Sequence, residues 1–168
     1  MKPYLLAFVT VCLLMLSCKI SYKFNNASLD YSKYKTIAIV DFPNQAALVY
    51  PPLTQLFNET LKDSYSRQTR LILLNRNGDY NLEGAITNYS LQPLAIGADA
   101  LASETRLTLG IRVVFTDNVN PSANFEKVFS ANRTFPSTST LDAVQDQLVQ
   151  ELVKEIVDQI FNETVATW

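Results

Sequence analysis

Residues 104–117 carry a large apolar side chain at every second position from Leu107 to Phe115, and most residues between them are polar. The apolar positions on one side of this segment are Leu107, Leu109, Ile111, Val113 and Phe115. Because successive side chains of a strand point to opposite faces of a sheet, the pattern predicts a long strand with one face in the core and the other facing water or a partner. Such a strand needs further strands beside it and a second layer over its apolar face.

Two segments have the 3.6-residue apolar period of helices that would supply that layer. The first begins at Pro51 and Pro52 and ends near Arg67, and prolines are favoured at a helix start. Its apolar positions are Leu53, Leu56, Phe57, Leu61 and Tyr65. The second follows the hydroxyl residues of 137–140 and continues for about 25 residues. Its apolar positions are Leu141, Val144, Leu148, Leu152, Ile156 and Ile160.

The remaining strand-like segments complete a fold prediction. They lie at 35–42, 70–75, 80–94 and 125–135. The Asn-Gly pair at 77–78 predicts a tight turn between strands, and a change of apolar phase between Ile86 and Tyr89 predicts a β-bulge. The order is strand, helix, four strands in a meander, then helix. It predicts an α+β fold, a two-layer sandwich of two helices packed on one mostly antiparallel mixed sheet.

The first 17 residues predict a signal peptide. One charged residue, Lys2, precedes an apolar run that is too short to span a bilayer comfortably. No cleavage site of A-x-A type follows, and Leu16-Ser17-Cys18 resembles a bacterial lipobox, in which the Cys becomes the first mature residue and carries acyl chains. The alternative is a signal peptide that merely contains Cys12 and Cys18. We expect a signal peptide at 1–17, an acylated Cys18 with a tether at 18–34, and a single domain at 35–168.

The composition argues against several classes of function. The chain contains no His, so Ser-His-Asp or Cys-His catalytic sites and His-based metal sites cannot form. It has four Gly and no Gly-rich phosphate loop. The net charge of −2, without a basic run, argues against nucleic acid as a partner. We therefore predict a protein that is not an enzyme and that holds neither a metal nor a cofactor.

Two groups of residues are candidates for ligand contact. Arg106 and Arg112 lie on the polar face of the alternating strand, and we expect Arg133 to lie near them on the next strand. Arginine forks match phosphate geometry, so a lipid phosphate is one interpretation and a solvated sheet face is the other.

The second group lies in the long connection 91–103. Its apolar residues Leu94, Ile96 and Leu101 either insert into lipid or a partner, or fold back on the domain.

The run from Phe42 to Tyr89, and the order of elements from Lys35 to Trp168, are similar to the Bacteroidetes branch of the LptE family of lipopolysaccharide-assembly lipoproteins. The resemblance implies a lipid-anchored outer-membrane protein that faces the periplasm within a barrel complex. It implies two partners besides the membrane, namely lipopolysaccharide and a large β-barrel of the LptD type whose lumen the domain plugs. The phosphates expected at Arg106, Arg112 and Arg133 are then those of lipopolysaccharide.

Two other functions remain open at this point. One is an auxiliary lipoprotein of another transporter or secretion complex, which would bind a different partner. The other is an enzyme acting on lipid or peptidoglycan, for which the sequence offers no catalytic constellation.

Overall fold

The computed structural model describes residues 29–95 and 102–165. Within these ranges five strands form one mixed sheet in the spatial order β2-β1-β3-β4-β5, and two helices pack on it. The strands are β1 (Thr36–Ile39), β2 (Ile72–Leu74), β3 (Tyr80–Ala95), β4 (Ala102–Asp117) and β5 (Phe125–Pro136). The helices are α1 (Pro51–Gln68) and α2 (Leu141–Val165), and a 3₁₀ turn at Pro121–Ala123 precedes β5. The predicted α+β class is confirmed.

The core lies between the helices and one face of the sheet. The apolar side of β4, from Leu107 to Phe115, is at most 1% exposed, as the alternation predicts. Leu152 and Ile156 of α2 are fully buried, whereas Leu148 is half-buried. Burial of these side chains removes apolar surface from water, which is the main force that holds a two-layer fold together.

The β3–β4 hairpin is the longest feature of the sheet. Its pairs run from Tyr80 opposite Asp117 to Ala95 opposite Ala102. At about 3.3 Å per residue, the 16 residues of β3 span about 50 Å. The register shifts between Ile86 and Asn88, which confirms the predicted bulge.

The Asn-Gly segment does not join neighbouring strands, so the predicted meander is wrong for β2. Both β2 and β3 pair with β1 in parallel, and the connection 75–79 therefore crosses β1 instead of reversing the chain. At Gly78 a Cβ atom would lie 2.5 Å from the backbone nitrogen of Ala38, so the crossing segment touches the β1 backbone. Asn77 has a φ of 57°, which is the left-handed conformation that Asn tolerates. The Asn-Gly pair therefore indicates the local backbone conformation, but it does not indicate which strand lies beside β2 in the sheet.

The chain is packed on the domain before the predicted domain start at Lys35. Leu29 and Tyr34 are 7% and 9% exposed and belong to the core cluster. One carboxylate oxygen of Asp79 accepts hydrogen bonds from the backbone N–H groups of Lys35 and Thr36, at 2.8 and 2.9 Å. The N-terminal segment is therefore fixed at the end of the sheet where β1 begins.

Different elements meet at the two ends of the sheet. The proximal end is the end where β1, β2 and β3 begin and β4 terminates at Asp117. The distal end is the opposite one, with Ala95, Pro136 and the first turns of both helices.

Candidate ligand-binding face

The sheet face opposite the helices is not covered by any helix or strand of residues 29–95 and 102–165; we call it the open face. Its central residues are mostly polar. On β4 they include Arg106, Thr108, Arg112 and Thr116, and on β5 Glu126, Ser130, Asn132 and Thr134. An uncovered sheet face with a polar centre is suited to water or to a polar partner surface rather than to a second core.

Arg106 lies in the distal half of the open face, opposite Gln92 on β3 and Thr134 on β5. Its Nε atom is buried and has no hydrogen-bond partner within the described parts of the chain. No carboxylate of those residues forms an ion pair with its guanidinium. An arginine donor that is buried without a partner loses water without compensation, so the side chain would gain a charge-assisted hydrogen bond by turning its guanidinium toward an anionic oxygen.

Arg112 lies nearer the middle of the open face and is already paired. Its guanidinium donates to Glu126 on β5 at 3.1 Å, with the two side chains 40% and 59% exposed. The carboxylate of Glu126 on the neighbouring strand therefore already compensates the charge of Arg112. Six residues along a strand separate its Cα atom from that of Arg106 by about 20 Å, so the two cannot grip one phosphate.

Arg133 does not lie beside the other two arginines. It lies directly opposite Leu107 of β4, whose side chain is in the core. Because directly opposite residues of paired strands point to the same side of the sheet, Arg133 points to the helical side. There it donates to Glu151 at 3.0 Å and to Glu155 at 2.7 Å, and these hydrogen bonds, that to Glu155 foremost, raise the pKa of Arg133. Its guanidinium holds β5 to α2.

A groove of about 510 Å³ lies next to the crossing segment, at the proximal end of the open face. Its lining residues are Val40, Arg76, Asn77, Asn81, Leu82, Glu83, Thr116 and Asn118. The side-chain amides of Asn81 and Asn118 both donate to the carbonyl of Gly78, at 3.1 and 2.7 Å. Sequence reasoning missed this groove because it depends on the crossing of β1, which the Asn-Gly signal does not reveal.

The other predicted contact residues are only partly within the described ranges. Leu94 is half-buried near the distal end of β3. Ile96 and Leu101 lie outside the described residues, and so does Cys18. Neither helix of the described ranges combines the length and the apolar character needed to cross a membrane.

The sequence matches the family model of LptE, described as lipopolysaccharide-assembly, over residues 34–164. The chain belongs to the LptE family. The match covers all five strands and nearly all of α2, so it includes the open face and both of its arginines. Among curated protein sequences, none matches this LptE-family chain.

Solved structures of bacterial lipoproteins have a similar fold. A minor lipoprotein of Acinetobacter baumannii is 19% identical with a TM-score of 0.53, over 79% of this chain and 94% of the other. The uncharacterized lipoprotein B of Nitrosomonas europaea is 15% identical with a TM-score of 0.55, over 79% and 84%. The rare lipoprotein B of Shewanella oneidensis is 15% identical with a TM-score of 0.51, over 79% and 96%. At these identities the likeness supports the fold of the LptE-family domain.

Proposed function

We propose that this LptE-family protein is an outer-membrane lipoprotein that plugs and supports a large β-barrel of the LptD type during lipopolysaccharide transport. The observation that carries the proposal is the open face. A domain that sits inside a barrel meets a polar lumen wall, because the interior of outer-membrane barrels is polar. A sheet with one apolar face under its own helices and one uncovered face whose central residues are mostly polar fits that environment.

Direct contact with lipopolysaccharide is the second part of the proposal. Arg106 and Arg112 are cations on the open face, and the buried Nε of Arg106 lacks a hydrogen-bond partner in the described residues. Phosphate oxygens would satisfy these donors with charge-assisted hydrogen bonds. Arg133 is removed from this set because Glu151 and Glu155 hold it on the other side of the sheet.

The protein acts by binding rather than by catalysis. The sequence lacks His and a Gly-rich phosphate loop, so the usual nucleophilic and phosphoryl-transfer sites are not available to it. It then contributes to transport by presenting a binding surface on a rigid domain that is held at the outer membrane.

Retention of the domain at the outer membrane depends on acylation of Cys18, which the lipobox resemblance supports. Several acyl chains hold a soluble domain stably on a bilayer, whereas one chain holds it only weakly. Changing Cys18→Ala should leave an uncleaved or misprocessed precursor and remove the acyl mass. An intact-mass measurement of a mature protein cut elsewhere, with Cys18 free, would contradict this anchor.

Purification in mild detergent followed by mass spectrometry tests the main proposal. We expect the full-length lipoprotein to retain a large outer-membrane barrel, and depletion of the protein to reduce surface lipopolysaccharide and raise outer-membrane permeability. If a transporter or secretion component is retained instead, and surface lipopolysaccharide is normal after depletion, the protein is an auxiliary lipoprotein of that other complex.

A further inference from the structure

The outer strand β2 exposes aliphatic side chains at the proximal end. Ile72 is 62% exposed and Leu74 36% exposed. Leu73, between them, packs against the core cluster, so the alternation along the strand directs Ile72 and Leu74 to the open face. Charged side chains commonly protect the edge of a sheet, but none of the three residues of β2 is charged. Its apolar side chains are therefore available to an apolar environment outside the domain.

Two arginines flank this short strand. Arg70 precedes β2 and Arg76 follows it, and both side chains are exposed. Within residues 29–95 and 102–165 neither arginine forms an ion pair with a carboxylate. We call Arg70, Ile72, Leu74 and Arg76 the β2 surface. It combines exposed aliphatic side chains with cations that are not neutralised by the described part of the domain.

The N-terminal segment of the described chain contacts the β2 surface directly. The guanidinium carbon of Arg70 lies 5.7 Å from the ring centroid of Tyr31, and the Tyr31 hydroxyl accepts a 3.4 Å hydrogen bond from the backbone N–H of Arg70. The carbonyl of Lys35 accepts a 2.9 Å hydrogen bond from the backbone N–H of Ile72. The described chain thus begins beside β2.

This position places the β2 surface near the predicted lipid anchor. Residues 18–28, which separate Cys18 from the buried Leu29, cannot span more than about 40 Å even when fully extended. An acylated Cys18 would therefore hold the β2 surface close to the bilayer that contains its acyl chains.

Basic residues are concentrated in the two segments that meet here. Residues 19–36 and 69–79 contain six Lys or Arg and two Asp, whereas the whole chain has a net charge of −2. One of the acids, Asp30, pairs with Lys33 at 3.5 Å. The other, Asp79, is held by the backbone N–H groups at the start of β1. An anionic lipid surface attracts a cationic region of this kind, because its headgroups carry the opposite charge.

We infer that the β2 surface rests on the anionic phospholipid leaflet that holds the acyl chains of Cys18. Ile72 and Leu74 insert between the headgroups, and Arg70 and Arg76 contact the phosphates. Exposed apolar side chains next to cations suit the boundary between headgroups and acyl chains. The inference rests on the proposed function for the lipid anchor, and it gives the domain a second attachment that sets its orientation on the membrane.

Contact of β2 with the leaflet leaves the centre of the open face available to a barrel. The strands β2 and β5 are the two outer strands of the sheet. With about 4.8 Å between neighbouring strands, Arg106 and Arg112 on β4 lie about 14 Å from β2. The membrane contact therefore uses one edge of the sheet, and the polar residues of β4 and β5 remain free for a lumen wall or for lipopolysaccharide.

Spin labels on the acylated lipoprotein test this contact. The sequence has two cysteines, Cys12 in the predicted signal peptide and Cys18, so Ile72→Cys introduces a single free thiol into the acylated mature protein. Val128→Cys is the matched control, because Val128 is 58% exposed on the other outer strand. In phosphatidylethanolamine–phosphatidylglycerol vesicles, the ratio of accessibility to oxygen over a water-soluble nickel chelate should be several-fold higher at position 72 than at position 128. Equal ratios would overturn the inference.

Charge variants test the β2 surface without the anchor. The chain expressed without residues 1–17 carries no acyl group, and we expect it to float with the same vesicles at low salt but not with phosphatidylcholine vesicles. Arg70→Gln and Arg76→Gln should each lower the partition coefficient about fivefold, the contribution of one cation near an anionic surface. Lys154→Gln makes the same charge change on the exposed side of α2 and should leave the partition coefficient unchanged. Equal losses in all three variants would mean that net charge alone governs binding, which would overturn the inference.

Apolar variants and crosslinking identify the occupant. Ile72→Gln should weaken flotation several-fold, whereas Val128→Gln should not, and melting temperatures measured alongside should stay near that of the wild type because both side chains are exposed. A photoreactive residue at position 72 in cells should capture phospholipid, and capture of a protein in its place would overturn the inference. A mature protein with Cys18 free would contradict the proposed anchor, whereas flotation of the anchor-free chain tests the β2 surface independently.

Discussion

The hydroxyl of Tyr34 donates a 3.0 Å hydrogen bond to Oδ2 of Asp117, which lies 83 residues later in the chain and is fully buried. The other oxygen of Asp117 accepts from the backbone N–H groups of Val119 and Asn120, at 2.8 and 2.7 Å. This carboxylate therefore joins the N-terminal segment to the turn after β4. It fixes the N-terminal segment at the proximal end.

Loss of the Tyr34 hydroxyl should destabilise the domain. Tyr34→Phe keeps the ring that stacks on Tyr80 but leaves one buried oxygen of Asp117 without its donor, which costs about 1–3 kcal/mol. Tyr31→Phe is the matched control, because the Tyr31 hydroxyl accepts only a 3.4 Å bond at an exposed site, and its effect should stay within about 0.5 kcal/mol. Urea unfolding measures both, and equal small losses would contradict the role given to Asp117.

The crossing of β1 makes Gly78 sensitive to substitution. In Gly78→Ala the new methyl group meets backbone atoms of β1 that have little room to move, so we expect a loss of about 1–3 kcal/mol, as for overpacking. At Gly110 the nearest atom to an added Cβ is a side-chain carbon of Asn88 at 3.1 Å. Gly110→Ala should therefore cost less than Gly78→Ala in thermal unfolding. The reverse order would mean that the crossing segment lies away from β1.

Alanine substitutions in helix α2 should lower the free energy of unfolding strongly at buried positions and only slightly at exposed ones. Leu152→Ala and Ile156→Ala should each cost about 2–5 kcal/mol, because each empties a fully buried site. Gln150→Ala and Lys154→Ala, on the exposed side, should stay within about 0.5 kcal/mol. Leu148→Ala should cost less than Leu152→Ala, since Leu148 is half-buried. Similar values at all five positions would mean that the helix does not pack on the sheet as described.

Acid should weaken the proximal end through Asp79. The backbone N–H of Lys35, followed by the groups of Thr36, holds the pKa of the Asp79 carboxyl below its ordinary value. A lowered pKa in the folded state gives a stabilisation that is present above the ordinary carboxyl pKa of about 3.9 and is lost as the pH falls through the folded value.

The free energy of unfolding, measured from pH 7 to pH 3, checks this contribution. Asp79→Asn should flatten the decline below pH 4. Thr36→Val should flatten it less, because it removes the hydroxyl that donates to the Asp79 carboxylate and accepts from the Asp79 backbone N–H, but it keeps both backbone donors of Lys35 and Thr36. If Asp79→Asn keeps the full wild-type decline, Asp79 is not a source of the acid sensitivity.

Periodicity predicted the layers of this fold better than it predicted their connections. The alternation from Leu107 to Phe115 and the stripe through Leu152 and Ile156 depend only on which side of one element is buried, and both are confirmed. The parallel pairing of β2 with β1 depends on a crossing that covers Ala38, and no local pattern in 75–79 specifies it.

The same limit applies to the candidate site. Arg106 and Arg112 share a strand, so their common face followed from residue spacing. The side of the sheet on which Arg133 lies depends on the register between β4 and β5, and its choice of Glu151 and Glu155 depends on where α2 packs. Residue spacing along the chain predicts neither the side of the sheet on which Arg133 lies nor its ion-pair partners.

Substitutions of Arg106 and Arg112 should lower lipopolysaccharide affinity by different amounts, because the two arginines differ in their ion pairing. Arg106 has no ion pair among the described residues, whereas Arg112 already donates to Glu126. If phosphate binds this face, Arg106→Glu should lower lipopolysaccharide affinity of the purified, anchor-free protein by about tenfold or more, which corresponds to one charge-assisted hydrogen bond. Arg112→Glu should lower it less, because phosphate has to compete with Glu126 for that guanidinium.

Two further variants make this prediction specific to the open face. Glu126→Gln leaves the guanidinium of Arg112 without its carboxylate and should raise lipopolysaccharide affinity above that of the wild type. Lys154→Glu makes the same charge change as Arg106→Glu on the exposed side of α2, at the other face of the domain, and controls for net charge. Affinities at two salt concentrations would show the electrostatic part, since screening weakens exposed charge pairs. Equal losses in Arg106→Glu and Lys154→Glu would show that lipopolysaccharide responds to net charge alone, and the open face would then serve only to meet the barrel wall.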